Sequence, residues 1–189
     1  MKSQNQSKSA GFTLIELVIV IIVLGVLASV AIPKFINLQR DAKIATLSGI
    51  AGQLEDQSKI AHLRAQMDNI PVSKDCFGDC NGHLFWDGSR EAGHYFIMTA
   101  DGTKLYMEWG YPLYTPIENN SVTNINFKSA MGLNDSEFVF VEGYPLKIFP
   151  RLWADKLATV ELDDYKCYVA YTSATSVDGN DIRIVSDDC

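Results

Sequence analysis

A carboxylate stands where this chain can least accommodate one. Glu16 lies five residues into an apolar run that starts at Phe12, and from Leu17 to Ile32 no charged residue follows it. An ionised side chain inside a bilayer costs about 2.5 kcal/mol or more, so residues of this kind usually have a partner and a role. Hydrolysis between Gly11 and Phe12 would create one, a cationic amine at Phe12, one helical turn before Glu16. The carboxylate also favours a helix N-terminus electrostatically. It can pair with the amine of its own chain or with that of a neighbour. Only the second pairing would set the register of an assembly, and the residue types do not choose between them.

Three readings compete for this segment. A secretory signal would use Lys2 and Lys8 as its basic start and Ser29-Val30-Ala31 as a small-residue cleavage site. A plain membrane anchor would use Phe12 to Ile36, about the right length to span a bilayer. Neither needs Glu16. The flanking cations do not orient the segment, because Lys2 and Lys8 precede it while Lys34, Arg40 and Lys43 follow.

Gly11-Phe12-Thr13-Leu14-Ile15-Glu16-Leu17, behind a short basic leader, resembles the type IV prepilin motif. The resemblance implies a leader of residues 1–11 removed by a prepilin peptidase, with Gly11 and Phe12 flanking the cut and Phe12 then N-methylated. It implies that Glu16 pairs with the N-terminus of an adjacent subunit. It further implies a homopolymer built through an inner-membrane assembly platform, from a single-pass membrane precursor to an extracellular pilus. The stretch Pro33 to Ala42, with Ala45-Thr46-Leu47, looks like mannose-sensitive haemagglutinin-type pilins. That likeness implies surface attachment and biofilm formation, on a glycan or an abiotic surface. The alternatives are a type II secretion pseudopilin, or a secreted or periplasmic binding protein cleaved after Ala31.

Cys76, Cys80, Cys167 and Cys189 are the remaining reactive side chains. An even number in an exported chain suggests two disulfides, and four cysteines allow three pairings among which sequence does not choose. The expectation adopted is Cys76–Cys80 and Cys167–Cys189. The second resembles the C-terminal disulfide loop of type IVa pilins, a feature that pseudopilins typically lack. Cys76, Cys80 and His83 have C-x3-C-x2-H spacing but no evident fourth ligand, and zinc sites want four, so no metal is expected there. Asp178-Gly179-Asn180-Asp181 is rich in oxygen ligands for calcium, yet lacks the EF-hand pattern and reads first as a turn. His62, His83 and His94 are scattered, and no catalytic constellation is present, so neither enzyme activity nor a cofactor is expected. Trp86, Trp109 and Trp153 are candidate glycan contacts, although a lone tryptophan is more often core. The N-x-S triplets at Asn119 and Asn134 carry no weight in a bacterial chain.

These residues need elements to hold them. The chain has 189 residues, enough for one domain with a real core. Its aromatic content argues against disorder. The formal charge is −7, and loss of Lys2 and Lys8 with the leader would take it to −9, which argues against nucleic acid as a primary partner. Ile44, Leu47, Ala51, Leu54, Ala61 and Ala65 recur at helical spacing, with Ser58 in the polar gap. One helix from Phe12 to Met67, stopping before Pro71, would span roughly 84 Å. Pro33 inside it and Gly25 before it weaken the stretch by about 3 and 1 kcal/mol. The result is a kink at Pro33, or a segment that melts between Gly25 and Pro33 on filament packing, as in related pilins. Strands are expected at 94–98, 104–109, 138–141, 146–149, 166–171 and 181–185, with a hairpin turn at Asp101-Gly102, a turn at Gly143-Tyr144-Pro145 and a short helix at 126–133. A variable loop would fill 71–93. The expected class is α+β: a type IV pilin fold, with residues 12–36 as the hydrophobic filament-core helix and 37–189 as the globular domain.

Overall fold

The computed structural model describes residues 13–73, 83–88, 94–115, 121–155, 157 and 159–189. The chain forms two compact units, one ending at Ala42 and the other Lys43–Cys189. Helix α1, Leu14–Met67, begins in the first and ends in the second. Its start falls two residues after the expected one, because Thr13 lies outside the helix. Its end is set by Asn69, which takes a left-handed φ of 53° while Asn69 N–H donates to the Gln66 carbonyl (3.1 Å) and Ile70 N–H to that of Ala65 (2.9 Å). This is the Schellman arrangement, in which a residue at positive φ satisfies the last carbonyls.

Among the described residues, the second unit holds two antiparallel four-stranded sheets. The first is ordered β1 (Trp86–Asp87), β2 (His94–Met98), β3 (Lys104–Glu108), β4 (Tyr111–Pro112). The second is ordered β5 (Phe138–Val141), β6 (Leu146–Pro150), β7 (Tyr168–Thr172), β8 (Asp181–Val185). Strands β1 and β4 are two residues long, too short for alternation to reveal. They exist through their partners, in the registers Trp86↔Tyr95 and Met107↔Pro112.

Three boundaries differ from the sequence expectation for identifiable reasons. β3 stops at Glu108 because Trp109 (φ 55°) and Gly110 (φ 78°) make a two-residue turn, which pairs Glu108 with Tyr111. Positive φ at both turn positions suits the strand twist. β7 starts at Tyr168 because Lys166 N–H is taken by the Asp188 carboxylate (2.8 Å) and Cys167 by its disulfide. Helix α2 is Ser121–Ala130, earlier than 126–133. It closes with Gly132 at φ 70°, Gly132 N–H donating to Ser129 and Leu133 N–H to Lys128. Two unexpected short helices, α3 (Arg151–Ala154) and α4 (Thr159–Asp164), lie between β6 and β7.

One apolar cluster takes Leu47, Ile50, Ala51 and Leu54 from α1, Ile97, Leu105 and Met107 from the first sheet, Leu146, Ile148 and Val169 from the second, and Phe127 and Met131 from α2. Alternation places the intervening residues on the far faces. Phe96 and Tyr106 pack with Leu113, and Phe149 packs with Ala154 and Leu162. The central strands of both sheets therefore bury side chains on both faces. A buried polar joint ties them together. Tyr114 N–H donates to Ser173 Oγ, the Ser173 hydroxyl donates to the Tyr114 carbonyl (both 2.8 Å), and the Tyr171 hydroxyl donates to the Pro112 carbonyl at 2.7 Å. Most buried polar groups in folded proteins are paired in this manner.

Burial holds the Tyr171 and Tyr114 hydroxyls protonated well above the ordinary value of 10.0. The unfolded chain ionises them near that value and the folded chain does not. The stability linked to them is therefore complete below pH 10 and is lost as pH rises beyond it, by about 1.4 kcal/mol per pH unit for each tyrosine. Urea unfolding of wild type should weaken between about pH 9 and about pH 11, and Tyr171→Phe should show a shallower decline at a cost of about 1 kcal/mol near neutrality.

Candidate functional site

The first described turn of α1 is organised around Glu16. The Thr13 backbone N–H (2.8 Å) and its hydroxyl (2.7 Å) both donate to Glu16 Oε2, and Glu16 N–H points back to Thr13 Oγ1 at 3.4 Å. This is a capping box, with Thr13 as the N-cap and Glu16 as the third helical residue. Its T-x-x-E signature is legible in the sequence at Thr13 and Glu16, and adds a local role to the charge of Glu16. In this form of the chain Glu16 Oε2 is satisfied within its own turn by both Thr13 donors. Gly11 and Phe12 lie outside the described residues.

Behind that cap the helix carries no charged residue from Leu17 to Ile32. None of residues 14–42 is buried, and the most apolar eighteen-residue window has a mean hydropathy of 3.0. It is long and apolar enough to cross a membrane. The helix continues through Gly25 and Pro33. Pro33 supplies no N–H to the turn before it. The Ser29 hydroxyl donates to the Val26 carbonyl at 2.7 Å. A Cβ placed on Gly25 would meet nothing within 4 Å.

At the start of the second unit, Lys43 Nζ donates to the Tyr165 hydroxyl (3.1 Å) and lies 5.9 Å from the ring centres of both Trp153 and Tyr165. These contacts hold the cation against aromatic faces. Trp153 therefore packs inside the domain, as does Trp86, which meets Tyr95 edge-on at 4.8 Å. Trp109 is likewise part-buried. His62 stacks on Tyr111 at 4.1 Å and donates from Nδ1 to the Gly110 carbonyl (2.8 Å), and His83 Nδ1 accepts from Phe85 N–H. Both rings serve local structure.

Cys167 and Cys189 are bonded, with Cα atoms 5.0 Å apart. Beside them Asp188 N–H donates to the Lys166 carbonyl at 3.1 Å while its carboxylate takes Lys166 N–H, so the chain end is held twice. Cys76 and Cys80 lie outside the described residues. The oxygen-rich turn is already engaged: Asp178 accepts from Ser176 (2.9 Å), Asn180 Oδ1 from buried Ser58 on α1 (2.6 Å), and Asp181 pairs with Arg183 (2.6 Å). No group of three or more His, Cys, Asp or Glu side chains converges among the described residues.

Removing the cap should fray the helix start without touching the domain. Thr13→Ala should cost about 1 kcal/mol of helix stability at that end. It is checked by amide hydrogen exchange of the full chain in detergent micelles, with faster exchange confined to the first helical turn and no change in β6 and β7.

A family model described as "Prokaryotic N-terminal methylation motif" matches residues 6–32. The chain is 35% identical over 75 residues to the "Type IV narrow pilus major component PilA5" of Thermus thermophilus, covering 40% of this chain and 63% of that protein. It is 27% identical over 128 residues to the "Type IV major fimbrial protein FimA" of Dichelobacter nodosus, covering 68% of this chain and 78% of that one. No solved structure gives a significant match. The long helix, antiparallel sheets and Cys167–Cys189 bond fit the α+β type IV pilin fold, and the methylation motif and both relatives support a type IV pilin.

Proposed function

We propose that this chain is a structural subunit of a type IV pilus. It is made as a membrane-held precursor, cut between Gly11 and Phe12 by a prepilin peptidase, N-methylated at Phe12 and polymerised by an inner-membrane platform into a surface filament. One observation carries the reading: residues 14–42 are helical and wholly exposed, with a mean hydropathy of 3.0 in the most apolar window. A segment of that kind must be covered by lipid or by other copies. Cleavage would free an amine at Phe12 for Glu16 of another copy to pair with. The Pro33 to Ala42 stretch supports a finer assignment, to mannose-sensitive haemagglutinin-type pilins that attach to surfaces. Melting of α1 between Gly25 and Pro33 in the filament belongs to the same reading, since Pro33 removes a helical donor and Gly25 lowers local propensity. The Cys167–Cys189 bond disfavours a pseudopilin, and Glu16 disfavours a binding protein released after Ala31.

The N-terminus and intact mass of protein sheared from cells test this directly. The expected product begins at methylated Phe12, whereas an N-terminus at Ile32 would end the filament reading, because most of the apolar helix would be gone. Gly25→Ala fits without a clash and should stiffen α1 by about 1 kcal/mol. If melting accompanies assembly, filament yield should fall while precursor levels stay constant; an unchanged yield would remove melting from the account.

A further inference from the structure

Unwinding that begins between Gly25 and Pro33 meets little to stop it. Extending a broken stretch of helix by one residue sets one backbone hydrogen bond against one residue's freedom, a near balance in water. Residues 34–42 are all exposed, so no burial tips that balance. The first residues of α1 that are not exposed are Lys43 and Ile44, and the first wholly buried one is Leu47. The contact at Lys43 is not an apolar one. Its Nζ donates to the Tyr165 hydroxyl (3.1 Å) and stands 5.9 Å from the ring centres of Trp153 and Tyr165. Both rings come from the insertion between β6 and β7, Trp153 from α3 and Tyr165 from the residue after α4. That insertion is pinned at both ends. Arg151 N–H donates to the Glu137 carbonyl (2.7 Å), and its guanidinium to the carbonyls of Asp135 (2.6 Å) and Phe138 (3.2 Å). Lys147 on β6 donates to the Asp163 carbonyl (2.8 Å) and carboxylate (3.1 Å). Ala154 and Leu162 are buried with Phe149 between these anchors.

We infer that this insertion is a stop: Trp153 and Tyr165 hold Lys43, so that unwinding of α1 ends there and the helix persists from Lys43 onward. The inference rests on the reading in which α1 melts between Gly25 and Pro33, and adds what confines that melting. Lys43 is the effective place to hold. In an α-helix the N–H of residue 47 bonds to the carbonyl of residue 43, so fixing Lys43 fixes the acceptor for the first wholly buried residue. Lysine suits the position, because its stem can lie along apolar surface while its ammonium stays partly solvated. The rings attract that ammonium more strongly as it loses water. Contacts from two separate short helices must then break together before the Leu47 amide is released, and each helix is anchored independently.

Amide hydrogen exchange of the full chain in detergent micelles tests the stop. Lys43→Met is the variant to compare with wild type, because it keeps an unbranched apolar side chain and removes the charge. Expected is exchange about tenfold faster at residues 44–48, the effect of losing one part-buried cation–ring contact, with β6 and β7 unchanged. Lys43→Arg should restore the wild-type rate, since a guanidinium stacks on the same rings. Tyr165→Phe should give a smaller rise, because the ring stays and the hydroxyl goes. Wild-type exchange in Lys43→Met would overturn the proposal. So would faster exchange spread evenly through β6 and β7, which marks a general loss of stability, or a Lys43→Arg chain that exchanges like Lys43→Met. None of these outcomes depends on assembly. Surface filaments that lack this chain would sink the filament reading and leave the exchange result standing.

Discussion

Everything in this molecule answers to a mismatch along one helix. α1 is a single element, yet beyond Lys43 one face lies in a continuous core, and before it none of the described residues finds any cover. Apolar surface left in water costs about 25 cal/mol per Å². The first segment is therefore stable only where something else supplies the burial. That requirement makes the chain a component of a membrane or of a polymer, and it gives the polar details at the helix start their importance. A capping box at Thr13 and Glu16 satisfies donors that neither lipid nor apolar neighbours could satisfy.

The domain is built to hold the other half of the helix. Two sheets of four strands each place alternate side chains on α1 and cover their outer faces with a smaller cluster. Apolar contact alone would let two such sheets slide. The Tyr114, Ser173 and Tyr171 joint prevents this, because its hydrogen bonds are buried, directional and reciprocal. The helix is locked by the same means. Ser58, in the middle of the buried stripe, bonds Asn180, and exposed Gln53 donates to the Met131 carbonyl at the end of α2.

The same use of polar groups recurs in the oxygen-rich turn. Asp178 to Asp181 has the composition of a calcium loop, but its side chains are engaged by Ser176, Ser58 and Arg183. Its role is to carry the chain from β7 into β8 while pinning α1. The Cys167–Cys189 bond acts nearby, doubled by the Lys166 and Asp188 pairing, and a loop of such size is worth typically about 3 kcal/mol. The late part of the chain thus stabilises the helix that assembly would load.

Local patterns were legible without coordinates. The apolar run, Glu16 within it, the helical spacing from Leu47 to Ala65 and most of the longer strands follow from short-range periodicity, because each residue's preference there depends on neighbours within a turn or a pleat. The T-x-x-E cap was equally local, and was simply overshadowed by the charge. What tertiary structure alone decided is long-range. Residue preferences do not say that eight strands divide into two sheets, that two-residue strands exist through their partners, or that Ser58 meets Asn180 across 122 positions. Those outcomes depend on which distant surfaces meet, and short-range sequence patterns carry almost no information about that.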